Sequence, residues 1–233
     1  MREPDWEISG WKVISQVLDR MALTMRVEHV EFLLEEESMM AFLNGLLPRA
    51  FPELDYRCHP LGGKENFFKK VPKRLEGYAQ WIPGTWRIIV MVDQNGQNCH
   101  TLKARLEAFA WTNGLPTITH PRGDQVIVIN RVVVPCLEAW YFGDWEAVRQ
   151  AYPRVPEGIP RKAPFRKPDA IPDPKKSLEQ IMKKAGYFRT GFRAKEAAEN
   201  ISPYLKPERN TSHSFQVFYR TLQTILGVSD ANG

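Results

Sequence analysis

Trp86-Arg87-Ile88-Ile89-Val90-Met91-Val92-Asp93 is the stretch that decides the fold class. A nearly continuous apolar run closed by an acid is the pattern of a central parallel strand buried on both faces. The turn Asn95-Gly96 follows, then apolar residues at helical spacing, Leu102, Leu106 and Phe109. Upstream, Val27 to Leu34 has the β-branched and aromatic content of a second strand, and it also runs into acids, Glu35-Glu36-Glu37. Ser38 precedes Met39, Phe42, Leu43, Leu46 and Leu47 and reads as the N-cap of a helix that Pro48 and Pro52 disturb or end. Leu54 to Cys58 reads as a further strand, and Glu65 to Trp81 as a helix that Pro72 kinks or breaks. Thr117 to His120 and Val126 to Val134 read as another strand pair. Alternation of this kind predicts an α/β fold, a mostly parallel sheet flanked by helices. Sites in such sheets form at the carboxyl ends of the strands, where Glu35 and Asp93 stand.

Outward from this core, the chain changes character twice. Residues 1–25, with apolar spots at Trp6, Trp11 and Ile14 and a short helical pattern through Val17, Leu18 and Met21, read as an N-terminal extension, either a docking helix or sequence upstream of a start at Met25. The α/β core occupies residues 26–150. Residues 151–176 form a Pro-rich basic loop, extended in conformation, with Arg161, Lys162, Arg166 and Lys167 among its cations. Residues 177–233 form a helical extension, with helices expected at Ser177 to Ala185, Ala194 to Ile201 and Ser214 to Leu226.

The chain has 233 residues, and 43% of them are apolar, enough for a sizeable core. A net charge of +5 permits contact with nucleic acid without requiring it. Three cysteines without close spacing argue against both a disulfide framework and a cysteine metal site, and the five histidines show no ligand spacing. No signal peptide is recognisable, and the longest apolar stretch, Val126 to Leu137, is too short to cross a bilayer. These features predict a cytoplasmic protein with no membrane partner.

Two strand ends carry the chemistry. Carboxylates at neighbouring strand ends converge, and hard cations such as Mg²⁺ take one or two carboxylates plus water. Glu35 and Asp93 are therefore candidate ligands of Mg²⁺ or Mn²⁺, which would polarise a phosphodiester. The competing reading of Glu35 to Glu37 is a negatively charged helix N-terminus favoured by the helix dipole. Lys64, in Gly62-Gly63-Lys64, is a candidate phosphate contact because Gly-rich turns expose backbone N–H groups, with a solvated lysine as the alternative.

The two acid-ended strands, each followed by a helix, resemble the Toprim superfamily of primases, topoisomerases and nucleases. There a glutamate and an Asp-x-Asp motif hold Mg²⁺ for phosphoryl transfer. More closely, the chain resembles the Domain of Unknown Function 4276 family of small Toprim-like proteins. The matching stretches are Phe32 to Arg49, Val90 to Leu106, Val134 to Asp144 and Pro207 to Phe218. The resemblance implies a Toprim-like, Rossmann-like sheet with a C-terminal helical extension. It carries over Glu35 as the Toprim glutamate, Asp93 as the first aspartate and Glu138 as a third acid. The second aspartate falls on Asn95, and Gln94, Gln97 and Asn98 surround it, so amides stand where carboxylates are expected. Two functions follow. One is a metal-dependent nuclease, with Glu35, Asp93 and Glu138 catalytic and Asn95 a supporting ligand; the resemblance implies an anti-phage setting with an ATPase partner. The other is a degenerate binding module that docks to an ATPase, DNA or RNA. Under either reading, Lys64, Arg161, Lys162, Arg166 and Lys167 are the candidate nucleic-acid contacts.

Overall fold

A computed structural model of the chain describes residues 26–228. The expected docking helix within Met1 to Met25 lies outside the described residues. Four strands form one all-parallel sheet: β1 (His29–Leu34), β2 (Tyr56–Pro60), β3 (Trp86–Asp93) and β4 (Val128–Val133), in the order β2-β1-β3-β4. The connecting helices are α1 (Glu37–Ala50), α2 (Lys64–Ala79) and α3 (Cys99–Thr112). After β4 come α4 (Leu137–Gly143) and α5 (Trp145–Ala151), then α6 (Pro174–Lys184), α7 (Ala194–Ile201) and α8 (His213–Leu226).

Side chains alternate across a strand, so each central strand feeds two cores. Val30, Phe32, Leu34, Ile89 and Met91 face a layer built from α1, α4 and the C-terminal helices. Leu33, Ile88, Val90 and Val92 face a second layer containing Phe67, Val71 and Leu75 of α2 and Leu106 and Ala110 of α3. This two-sided burial explains the unbroken apolar run in β3. The C-terminal helices belong to the first core. Trp140 of α4 packs against Phe42 of α1 (ring centroids 5.3 Å apart), Phe215 (5.4 Å) and Phe218 (5.2 Å) of α8.

Four local expectations are corrected. Glu36, not Ser38, is the N-cap of α1, and Ser38 is buried inside the helix. Pro72 does not break α2, since Val71, Leu75 and Tyr78 are all buried and hold the flanking turns; tertiary packing outweighs the local helix penalty. Thr117 to His120 is not a strand. Thr117 forms a single isolated bridge to Val128, because Pro116 has no N–H to offer and the Thr117 and Thr119 hydroxyls turn to Glu107. The stretch expected to be an extended loop instead contains three short 3-10 turns, Ile159–Arg161, Ala163–Phe165 and Pro168–Ala170, and α6 begins within it. Asp169 fastens it to the start of α8, accepting from the Ser212 hydroxyl at 2.6 Å and the Ser214 N–H at 2.9 Å.

Glu107 ties α3 to β4. Burial pushes its carboxyl up, but Lys103 and hydrogen bonds from Asn130, Thr117 and Thr119 outweigh burial and hold it at about 2, below the ordinary 4.5. The burial of Lys103 itself pulls that ammonium down, against the charge of Glu107 that raises it. A depressed carboxyl stabilises the fold above its unfolded value and loses that contribution as pH falls through the folded value. Wild-type protein is expected to exceed Glu107→Gln by about 3 kcal/mol at neutral pH. Urea unfolding at stepped pH should show that gap closing between 4.5 and about 2.

Candidate carboxylate site

The strand order places a site before any side chain is considered. From β1 the chain moves through α1 outward to β2, and from β3 through α3 outward to β4 on the other side. α1 packs in one layer and α3 in the other. The carboxyl ends of β1 and β3 therefore border the crevice of a topological switch point, where open α/β sheets bind ligands.

Glu35 and Asp93 meet there. Leu34 pairs with Met91 in the parallel ladder, so the next residue of β1 lies beside the end of β3. The Asp93 N–H donates to Glu35 Oε2 at 2.9 Å, and the Glu35 N–H donates to the Met91 carbonyl at 3.2 Å. Asp93 Oδ1 accepts from the Leu137 N–H at 3.1 Å, which fixes the first turn of α4 against the site. That turn carries Glu138. The three carboxylates are each about 4% exposed. Burial raises Asp93 well above the usual carboxylate range, and the charges of Glu138, Glu35 and Glu36 add to it. Burial also raises Glu35, against the Asp93 N–H and Lys64, and raises Glu138, against Lys175. Buried like charges this close need a proton or a cation to neutralise them.

The remaining candidates are engaged as follows. Lys64 reaches into the rim, but its ammonium donates to the carbonyls of Asp93 (2.7 Å) and Gln94 (3.0 Å), so it braces the turn after β3. Asn95 is exposed in that turn in a left-handed conformation (φ 47°), with its N–H on the Pro135 carbonyl. Arg161 is exposed at the end of the first 3-10 turn, and Lys162, Arg166 and Lys167 are exposed between the turns.

Three further groups belong to the site and escape a reading of the sequence. Lys175, at the start of α6, lies exposed at the rim; burial of its stem lowers its ammonium, but Glu138, Glu36 and Asp93 outweigh that and raise it. Glu36 sits half-buried beside it. The Tyr141 hydroxyl is buried without a hydrogen-bond partner, and after burial the charges of Glu138 and Asp93 are what raise it most. The only sequence signal is Tyr141 lying three residues after Glu138, which puts both on one helix face.

A family model describing a domain of unknown function (DUF4276) matches residues 34–223, from the last residue of β1 into α8. The chain belongs to the DUF4276 family. No curated protein and no solved structure matches it. Two of the stretches that resemble this DUF4276 family meet in space: the Asn210 amide donates to the Trp140 carbonyl at 2.9 Å, and Arg209 pairs with buried Asp144 at 2.9 Å. Gly143 is required at that contact, since a Cβ there would lie 2.0 Å from Asn210 Oδ1. No described helix of the DUF4276 protein is long and apolar enough to cross a membrane.

The donor set fits a hard cation in chemistry and is sparse in number. Each of Glu35 and Asp93 has one oxygen committed to a backbone N–H and one left over. Among the described residues, no group of three or more His, Cys, Asp or Glu side chains is disposed to hold a metal ion. A Mg²⁺ or Mn²⁺ ion held by two carboxylates, with water and substrate phosphate completing its shell, needs no third protein ligand.

Proposed function

We propose that this DUF4276 protein is a metal-dependent phosphodiesterase of the Toprim kind that acts on nucleic acid. The observation that carries the reading is the buried pair Glu35 and Asp93, with Glu138 beside it, in the crevice between β1 and β3. Bound Mg²⁺ or Mn²⁺ would supply Lewis-acid polarisation of a phosphoryl oxygen and a more acidic water. Glu35 and Asp93 would hold the ion. Glu138, raised by burial, is the base that takes the proton of the attacking water, since a base poised nearer neutrality is the more efficient. The unpartnered Tyr141 hydroxyl donates to an oxygen in the crevice, and Lys175 faces the phosphate from the rim. Lys64 acts as a positioning residue, through the turn that aims Asp93. Arg161, Lys162, Arg166 and Lys167 offer sequence-independent attraction to phosphates of DNA or RNA. An ATPase partner and an anti-phage setting complete the reading and rest on the resemblance to Toprim nucleases.

A second reading, a binding module without chemistry that docks to an ATPase or to nucleic acid, is favoured by the lack of a third disposed ligand and by the amides of the Asn95 turn. Metal titration followed by thermal unfolding separates the two. An ion that binds the native state at a hundred times its Kd adds about 2.7 kcal/mol, or about 5–10 °C for a domain of this size. Plasmid nicking that requires Mn²⁺ together with such a shift is the expected result. Neither nicking nor a shift at millimolar Mn²⁺ leaves only the binding module.

A further inference from the structure

A second concave site lies on the α2 face of the sheet, toward the amino-terminal ends of the strands, and the chemistry proposed at Glu35 and Asp93 does not use it. Glu31, in the middle of β1, is buried there. His59 Nε2 stands 2.5 Å and His29 Nε2 3.3 Å from its two oxygens, and the other nitrogen of His29 is 2.6 Å from Asp55. Tyr78 of α2 also hydrogen-bonds Glu31. Trp86 packs on His29 with ring centroids 4.2 Å apart, and Trp81 stands edge-on to Trp86 at 5.6 Å. Over this floor opens a cavity of about 350 Å³, lined by Arg57, His59, Arg74, Trp81 and Trp86 among others.

The lining sorts into two chemistries. Arg57 and Arg74 are exposed guanidiniums, one from edge strand β2 and one from α2, and Arg57 has no acidic partner among the described residues. Trp81 is 56% exposed, an apolar ring left in water at the mouth of the cavity. Both oxygens of Glu31 are taken, which fixes the walls. A phosphate alone would engage the guanidiniums and leave the indoles unused; an apolar ligand would strand the guanidiniums. A flat aromatic base joined to a phosphate uses both, by stacking and by the forked donors of arginine. Glu31 is four residues from Glu35, about 13 Å along β1, so the cavity is separate from the carboxylate crevice.

We propose that this cavity binds a nucleotide, with its base stacked on Trp81 and its phosphate held by Arg57 and Arg74. The choice of a nucleotide over other aromatic anions rests on the nucleic-acid reading of the carboxylate crevice. The nucleotide is either free or part of a single strand.

The test is binding of a 5′-phosphorylated single-stranded oligonucleotide, labelled at its 3′ end, to the full chain in EDTA, read by fluorescence anisotropy. Arg57→Ala and Trp81→Ala should each weaken binding by about tenfold. Trp81→Phe should retain most of it. Both replaced side chains are exposed, and an unchanged melting temperature checks that each variant folds. Competition by a nucleoside monophosphate identifies the free-nucleotide source; its failure, with the oligonucleotide bound, identifies the strand. Wild-type affinity in Arg57→Ala and Trp81→Ala overturns the proposal, as does competition by inorganic phosphate equal to that of the nucleotide. Binding that depends on Arg57 and Trp81 in a protein that shows no Mn²⁺-dependent cleavage leaves this site standing and sinks only the nuclease reading.

Discussion

Glu35→Gln is expected to lower Mn²⁺-dependent cleavage by about a thousandfold, the loss of several kcal/mol of electrostatic help from a correctly held ion. The substitution keeps shape. A glutamine oxygen still accepts from the Asp93 N–H, as Glu35 Oε2 does at 2.9 Å, so the end of β3 stays in place. What goes is the negative charge that, with Asp93, makes the crevice attractive to a cation. Burial raises Glu35 in the metal-free protein, so its charged form is held at a cost that a neutral amide does not carry. The melting temperature without metal should therefore hold or rise, while the rise caused by Mn²⁺ should vanish. That divergence distinguishes a ligand from a residue that merely supports the fold, whose loss would lower stability and activity together. Cleavage by the variant at the wild-type rate would remove Glu35 from the site.

Trp140→Ala is expected to cost 3–5 kcal/mol, near the upper range for a buried aromatic. Trp140 is almost fully buried. It meets Phe42 of α1 and Phe215 and Phe218 of α8 within about 5.4 Å between centroids, and its indole N–H donates to Ser214 Oγ at 3.2 Å. Removing it leaves a large cavity where the C-terminal helices join the sheet layer, and it strips the Ser214 hydroxyl of a donor. Phe42 and Phe215 also touch each other, so the surrounding rings are held and collapse only in part. Urea unfolding should show a lower midpoint with an unchanged slope if the fold survives. A loss below about 1 kcal/mol would mean that α8 is bound to the core by other contacts.

The α/β class was legible because its signal is local. In Trp86 to Asp93, burial on both faces of one strand writes itself into consecutive residues. The helices at Pro174–Lys184, Ala194–Ile201 and His213–Leu226 were legible within a few residues through their periodicity. Local rules failed where distant partners intervened. Pro72 sits inside α2 because Val71 and Leu75 are anchored in the second core. The Pro-rich stretch is folded into 3-10 turns because Asp169 is fastened to α8 more than forty residues away.

The same division holds for the candidate site. Sequence alone determined that two strands end in acids and that a parallel sheet would present those ends on one edge. Tertiary structure decided that β1 and β3 are neighbours at the switch point, with Asp93 bonded to Glu35. It also set the first turn of α4, which carries Glu138, against Asp93. It alone gathered His29, Glu31 and His59 under the tryptophan-lined cavity. The physical reason is that hydrophobic periodicity fixes which face of an element is buried, whereas strand order, and therefore which side chains meet, is fixed by packing between elements far apart in the chain.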